Sequence, residues 1–162
     1  MTEKQPYTVI SEHDGCEVRL YPAHILAQVE ADGSFFEAGN QGFRPLIRYI
    51  SSSNISMTAP VIQAPGESKK YTVSFVMPAG ATSVPAPRDA TVRTTDVPEQ
   101  RVAARRFSGG SNEEKYQQNA DALLAALTRD CVAPLGAVYF ARYDPLWKRG
   151  FLKRNEALVV VR

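Results

Sequence analysis

The chain has 162 residues, a length that suits one domain burying roughly 68–70% of the surface its unfolded form exposes. Hydrophobic residues at 44% and charged residues at 22% are ordinary for a globular protein, and a formal net charge of +2 is too small to point to nucleic acid. Cys16 and Cys131 lack Cys-x-x-Cys spacing, no basic and apolar leader precedes Tyr7, and no apolar run approaches the roughly 20 residues a bilayer needs; a cytoplasmic protein with reduced thiols is expected.

Residues 1–6 are expected to be a flexible tail ahead of a single domain spanning 7–162. Residues 7–11 form a first β-prone run, closed onto 17–21 by the turn signal His13-Asp14-Gly15. Further strand-like runs follow at 24–31, 56–62 and 71–77, then at 91–97, 101–107, 137–143 and 156–161. Two S-x-x-E strings interrupt them, Ser34-Phe35-Phe36-Glu37 and Ser111-Asn112-Glu113-Glu114, each after a glycine. In such a box the serine oxygen caps an orphan N–H and the glutamate reaches back to the cap residue. Phe43, Leu46, Ile47 and Ile50 give the first helix an apolar stripe, and Tyr116, Ala120, Leu123, Leu124 and Leu127 do the same for the second. Ala27 and Ala104 stand at the same distance ahead of the two cap serines, inside strand-like runs.

The chain thus reads as α+β. A pseudo-twofold repeat of ββαββ units, with internal halves at about 16–77 and 91–161, forms a distorted eight-stranded, mostly antiparallel β-barrel flanked by two α-helices. Pro78, Pro85 and Pro87 mark a long irregular connection before Thr91, and Pro145 and Gly150 punctuate a second one over 144–155. Loops this long in a compact domain are often functional.

On the first helix Phe43 and Ile47 share a face, while Asn40, Arg44 and Arg48 form an adjacent polar stripe at the same helical spacing. An apolar slot beside cations is what a macrocycle with two carboxylates requires. The second long loop adds Trp147, Lys148, Arg149, Phe151 and Lys153. Core packing and a solvated helix face are the bland explanations of the same stripes.

The string Asn54-Ile55-Ser56-Met57-Thr58-Ala59-Pro60-Val61, with Phe75-Val76-Met77-Pro78, Phe107-Ser108-Gly109-Gly110, Tyr143-Asp144-Pro145-Leu146-Trp147-Lys148 and Arg154-Asn155-Glu156, resembles the SOUL family of haem-binding proteins over about 7–161. The resemblance implies a SOUL-like domain that binds haem or a related tetrapyrrole reversibly and non-covalently in a groove beside the first helix, for buffering, transport or sensing. It places Asn40, Phe43, Arg44, Ile47 and Arg48 along that groove and Lys148 opposite, with Phe151 in the same loop. The chain departs from relatives that carry arginine where Asn40 stands and methionine where Phe43 stands.

No axial iron ligand is assigned. His13 reads as a solvated turn residue, His24 as a surface or helix-facing residue, and Met57 and Met77 as core. Catalysis is not expected, because neither histidine sits in a recognisable nucleophile context and there is no phosphate loop. The expected partner is a tetrapyrrole, with neither nucleic acid nor membrane, and the expected state is a monomer. The alternative is a sensor or carrier for other small hydrophobic or cationic ligands, since the doubled ββαββ plan is similar to effector-binding domains of bacterial regulators.

Overall fold

The computed structural model describes residues 3–109, 112–144 and 153–162. In chain order they form β1 (Glu3–Lys4), β2 (Thr8–His13), β3 (Cys16–Tyr21), β4 (His24–Ala31), α1 (Phe35–Ser52), β5 (Thr58–Pro65), β6 (Tyr71–Val76), β7 (Arg93–Val97), β8 (Gln100–Phe107), α2 (Glu113–Arg129), β9 (Tyr139–Arg142) and β10 (Asn155–Val161). The class is α+β, and the element order β3-β4-α1-β5-β6 followed by β7-β8-α2-β9-β10 is the ββαββ order read from the sequence. Among the described residues ten strands are present where eight were expected. One addition is the hairpin strand β2; the other is β1, in the stretch expected to be a tail, which lies parallel on β5, with Gln5 N donating to Ala59 O at 2.8 Å.

Two compact units result. One holds the described residues up to Gln5 with Ala23–Pro98; the other holds Pro6–Pro22 with the described residues from Glu99 onward. Their boundaries do not follow the sequence halves. In the first unit the strand order is β5-β6-β4-β7, all antiparallel, so β7 of the second half pairs with β4. In the second unit the order is β2-β3-β8-β10-β9, also antiparallel, so β3 of the first half pairs with β8.

In the first unit α1 starts on the expected box: Glu37 N donates to Ser34 Oγ at 3.4 Å and Ser34 N to Glu37 Oε1 at 3.1 Å. The helix runs on through Pro45, whose missing N–H leaves the Gln41 carbonyl without its helical donor. Its buried stripe of Phe35, Ala38, Gly39, Gly42, Leu46, Tyr49 and Ile50 lies on Ile25, Ala27, Val29, Val73 and Phe75 of β4 and β6. At Gly42 the backbone comes so close to the sheet that a Cβ would stand 2.7 Å from Val73 Cγ2.

In the second unit α2 is capped by Asn112, one residue beyond the expected Ser111, which lies outside the described residues; Lys115 N donates to Asn112 Oδ1 at 3.3 Å. The β2–β3 hairpin closes on the Asp14-Gly15 turn, where Gly15 takes the positive φ of +95° that a two-residue hairpin needs. The core of this unit contains charge. Arg19 of β3 donates from Nη1 to Glu156 Oε1 at 2.8 Å and from Nη2 to Oε2 at 2.6 Å, across the intervening strand β8. Arg19 is 2% exposed and Glu156 0%. Arg154 Nη2 adds bonds to Glu156 Oε2 at 3.0 Å and to the Tyr7 hydroxyl at 3.2 Å. The two guanidinium groups lie over the rings of Tyr7 and Tyr143, at 4.1 Å and 4.0 Å from the centroids. Asn155 completes the return of β10, accepting from the Tyr116 hydroxyl at 3.1 Å and donating to Gly109 O at 3.1 Å.

Burial alone would lower the Arg19 pKa and raise that of Glu156; their mutual hydrogen bonds and charge reverse both, holding Glu156 below the ordinary carboxylate range. The stability this contributes is fully present above the unfolded-state value of about 4.3 and is lost as pH falls through the lower folded value. Glu156→Gln, which takes the buried carboxylate from Arg19 and Arg154 and leaves Arg19 only Glu17 as a carboxylate partner, is expected to cost about 3–5 kcal/mol in urea unfolding and to flatten the acid limb of stability against pH. Gly42→Ala is expected to destabilise by about 1–3 kcal/mol through overpacking, despite the helix-propensity gain of up to about 1 kcal/mol; equal or higher stability would show that α1 can lift from β6.

Candidate functional site

The buried stripe of α1 fixes what its other side presents. Asn40, Arg44 and Arg48 fall on the exposed side, with Phe43 and Ile47 on the flank between it and the core. Phe43 is 39% exposed although its ring meets that of buried Phe75 edge-on, at 5.2 Å between centroids. Ile47 is half-buried against the same cluster. Five of the residues singled out in the sequence therefore share one helix face, and the two apolar ones belong partly to the core. Lys148 and Phe151, with Trp147, lie outside the described residues.

The cations on this face differ from those that hold the fold together. Arg93 pairs with Glu30 at 2.9 Å, and Arg19 and Arg154 are paired in the core. Arg44 and Arg48 have no carboxylate within ion-pair distance among the described residues. Arg48 also lines a cavity of about 920 Å³ between the C-terminal end of α1 and the proline-rich connection, with Tyr49, Ser52, Pro85, Arg88 and Asp89. The Tyr49 hydroxyl ties helix to connection by donating to Pro85 O at 2.5 Å. Asp89 accepts from Thr91 N at 2.8 Å and Thr91 Oγ1 at 2.6 Å, bonds that hold its carboxyl below the usual range, with Arg48 adding to the effect. The sequence marked this connection by its prolines but gave no sign that Arg88 and Asp89 border the same space as Arg48.

Candidate donors to a metal are scattered. Met77 is 2% exposed in the core of the first unit, and Met57 packs against that core. His24 is half-buried at the start of β4, opposite Val97. Among the described residues no cluster of three or more His, Cys, Asp or Glu side chains is arranged for an ion. In the second unit the buried Tyr143 hydroxyl has no partner among the described residues, and burial raises its pKa.

His13 is not the solvated turn residue expected. Its Nε2 lies 3.0 Å from Ser11 Oγ, and its Nδ1 lies 2.8 Å from Asp130 Oδ2. Asp130 is the C-cap of α2, 117 residues away in sequence, so no local pattern announced the contact.

Comparison with known proteins places these features in context. The family model described as SOUL heme-binding protein matches residues 2–160. No curated protein matches the chain in sequence. Among solved structures, the C-terminal domain of EcmrR is similar with a TM-score of 0.72 at 8% identity, covering 91% of this chain and 96% of that one. A protein described as a hydrolase from Listeria innocua reaches 0.61 at 10% identity, covering 94% of both chains. SAV2435, described as bound to tetraphenylphosphonium, reaches 0.54 at 9%, covering 91% of this chain and 93% of that one. At such identities the likeness is one of fold.

Proposed function

Because the chain belongs to the SOUL heme-binding protein family, we propose that it binds haem or a related tetrapyrrole reversibly on the outward face of α1, as a monomeric cytoplasmic protein serving buffering, transport or sensing. The observation that carries this reading is the pairing on one helix face of half-exposed Phe43 and Ile47 with two guanidinium groups, Arg44 and Arg48, that lack carboxylate partners among the described residues. A macrocycle covers the apolar flank, gaining roughly 25 cal/mol for each Å² of apolar surface removed from water. Its propionates then take the arginines, whose planar forks match a carboxylate in two parallel bonds.

These residues fit the organic part of haem. The iron would supply redox or ligand-binding chemistry when present, and the proposal assigns it no protein ligand. Asn40 offers an amide where relatives offer a cation, and Lys148 and Phe151 stay in the proposal through the family resemblance.

The alternative, a sensor or carrier for other small hydrophobic or cationic ligands, draws on the likeness to EcmrR and SAV2435. A cationic ligand needs a carboxylate to receive it. Glu37 is spent on the helix cap, Glu156 on two arginines, and Asp89 on Thr91 beside the Arg48 charge, which favours the anionic ligand. Among the described residues no helix is long and apolar enough to cross a membrane.

Titration of the protein with hemin and, in parallel, with metal-free protoporphyrin tests the reading. Saturable one-to-one binding of both is expected, with Arg44→Glu and Arg48→Glu each weakening it by about 10-fold or more, the scale of a lost charge-assisted bond. His24→Ala should change little, and a strong loss in that variant alone would overturn the groove-first account. Phe43→Asp should nearly abolish binding with the fold intact by circular dichroism; unfolding instead would place Phe43 wholly in the core.

A further inference from the structure

We propose that Ser11, His13 and Asp130 form a second functional site in this protein, a surface acyl-transfer centre that hydrolyses small carboxylic esters. The geometry is that of nucleophile, base and orienting acid. A carboxylate carries no proton, so the 2.8 Å contact requires His13 Nδ1 to donate to Asp130 Oδ2. In the neutral ring this leaves Nε2 as the acceptor, for which the Ser11 hydroxyl 3.0 Å away is the donor. The serine proton is therefore already directed at the base.

Three further features bear on the same point. The β2–β3 register shifts between Val9 and Ser11, leaving Ile10 outside the ladder. Val9 pairs with Arg19 and Ser11 with Val18, neighbours on opposite faces of β3, so the bulge turns Ser11 and His13, two apart on one strand, to the face opposite Val9. Asp130 caps the C-terminal end of α2, where the helix dipole favours an imidazolium. Arg129 donates to Asp14 O at 2.6 Å and Arg105 to Gly15 O at 2.9 Å, bringing positive charge to the turn beside the site.

Cys16 is not the nucleophile, since burial and Asp130 raise its thiol. Ser11 and His13 are both partly exposed, His13 by 20% of its side chain, so an ester can approach nucleophile and base from solvent.

In the reaction Ser11 Oγ bonds to the ester carbonyl carbon while its proton passes to His13 Nε2. The ester C–O bond breaks, and the leaving alkoxide takes that proton. Water then attacks the acyl-serine by the same exchange, releasing the carboxylic acid and restoring the hydroxyl.

The test is labelling of the purified full-length protein with a fluorophosphonate, mapped by peptide mass spectrometry, together with hydrolysis of 4-nitrophenyl acetate. An adduct on Ser11 is expected. Ser11→Ala and His13→Gln are expected to lower hydrolysis by about 100-fold, the scale of general-base catalysis, with thermal melting confirming the fold. No adduct at Ser11 in the wild type, an adduct that forms equally in folded His13→Gln, or hydrolysis unchanged in Ser11→Ala would each overturn the proposal. None of these outcomes depends on tetrapyrrole binding.

Discussion

The double hydrogen bond between Arg19 and Glu156 is the constraint around which the second unit is organised. A carboxylate with no exposure is costly unless every oxygen is engaged. Here one guanidinium takes both oxygens and a second shares one of them. The requirement propagates outward: Tyr21 accepts from Arg19, Glu17 takes its Nε, and Tyr7 and Tyr143 offer their ring faces to the two cations. A shift of β10 by one residue would turn Glu156 to the other face and take from buried Arg19 the carboxylate that engages both its terminal nitrogens. The charges thus specify one register among β3, β8 and β10, which a sheet of interchangeable valines and alanines would not.

The first unit solves a different problem. Gly42 lets α1 sit against Val73, and the close approach lifts Phe43 and Ile47 to the margin of the core. A bulkier residue at position 42 would push the helix away and open that margin. Packing and the proposed recognition therefore draw on the same few residues, with a hydrophobic seam and solvent-facing cations on one helix.

Local features were legible in the sequence. The Ser34 box, the α1 stripe, the Asp14-Gly15 turn and the ββαββ order depend on residues close in the chain and were read from spacing. Non-local features were not. Nothing near His13 indicates Asp130, and nothing near Arg48 indicates Arg88. The cap of α2 falls at Asn112 because asparagine caps as well as serine, so two adjacent capping residues leave the start of the helix open by one position. The face of α1 could be listed residue by residue from its period. That Arg44 and Arg48 form no ion pair among the described residues depends on the fold around them, not on their spacing.

The exchange of first strands between the sequence halves bears on how this protein comes to be folded. Glu17 of β3 meets Ala104 of β8, more than half the chain away, and Ile25 of β4 meets Asp96 of β7. Neither sequence half can complete its own sheet. During synthesis β3 emerges long before its partner, and an unpaired strand edge persists until β8 is made. Such long-range pairing folds slowly and exposes the nascent chain to aggregation. Fragments cut in the connection at 78–92 would each carry one strand that belongs in the other's sheet, so the two would recover the native pairings only by associating.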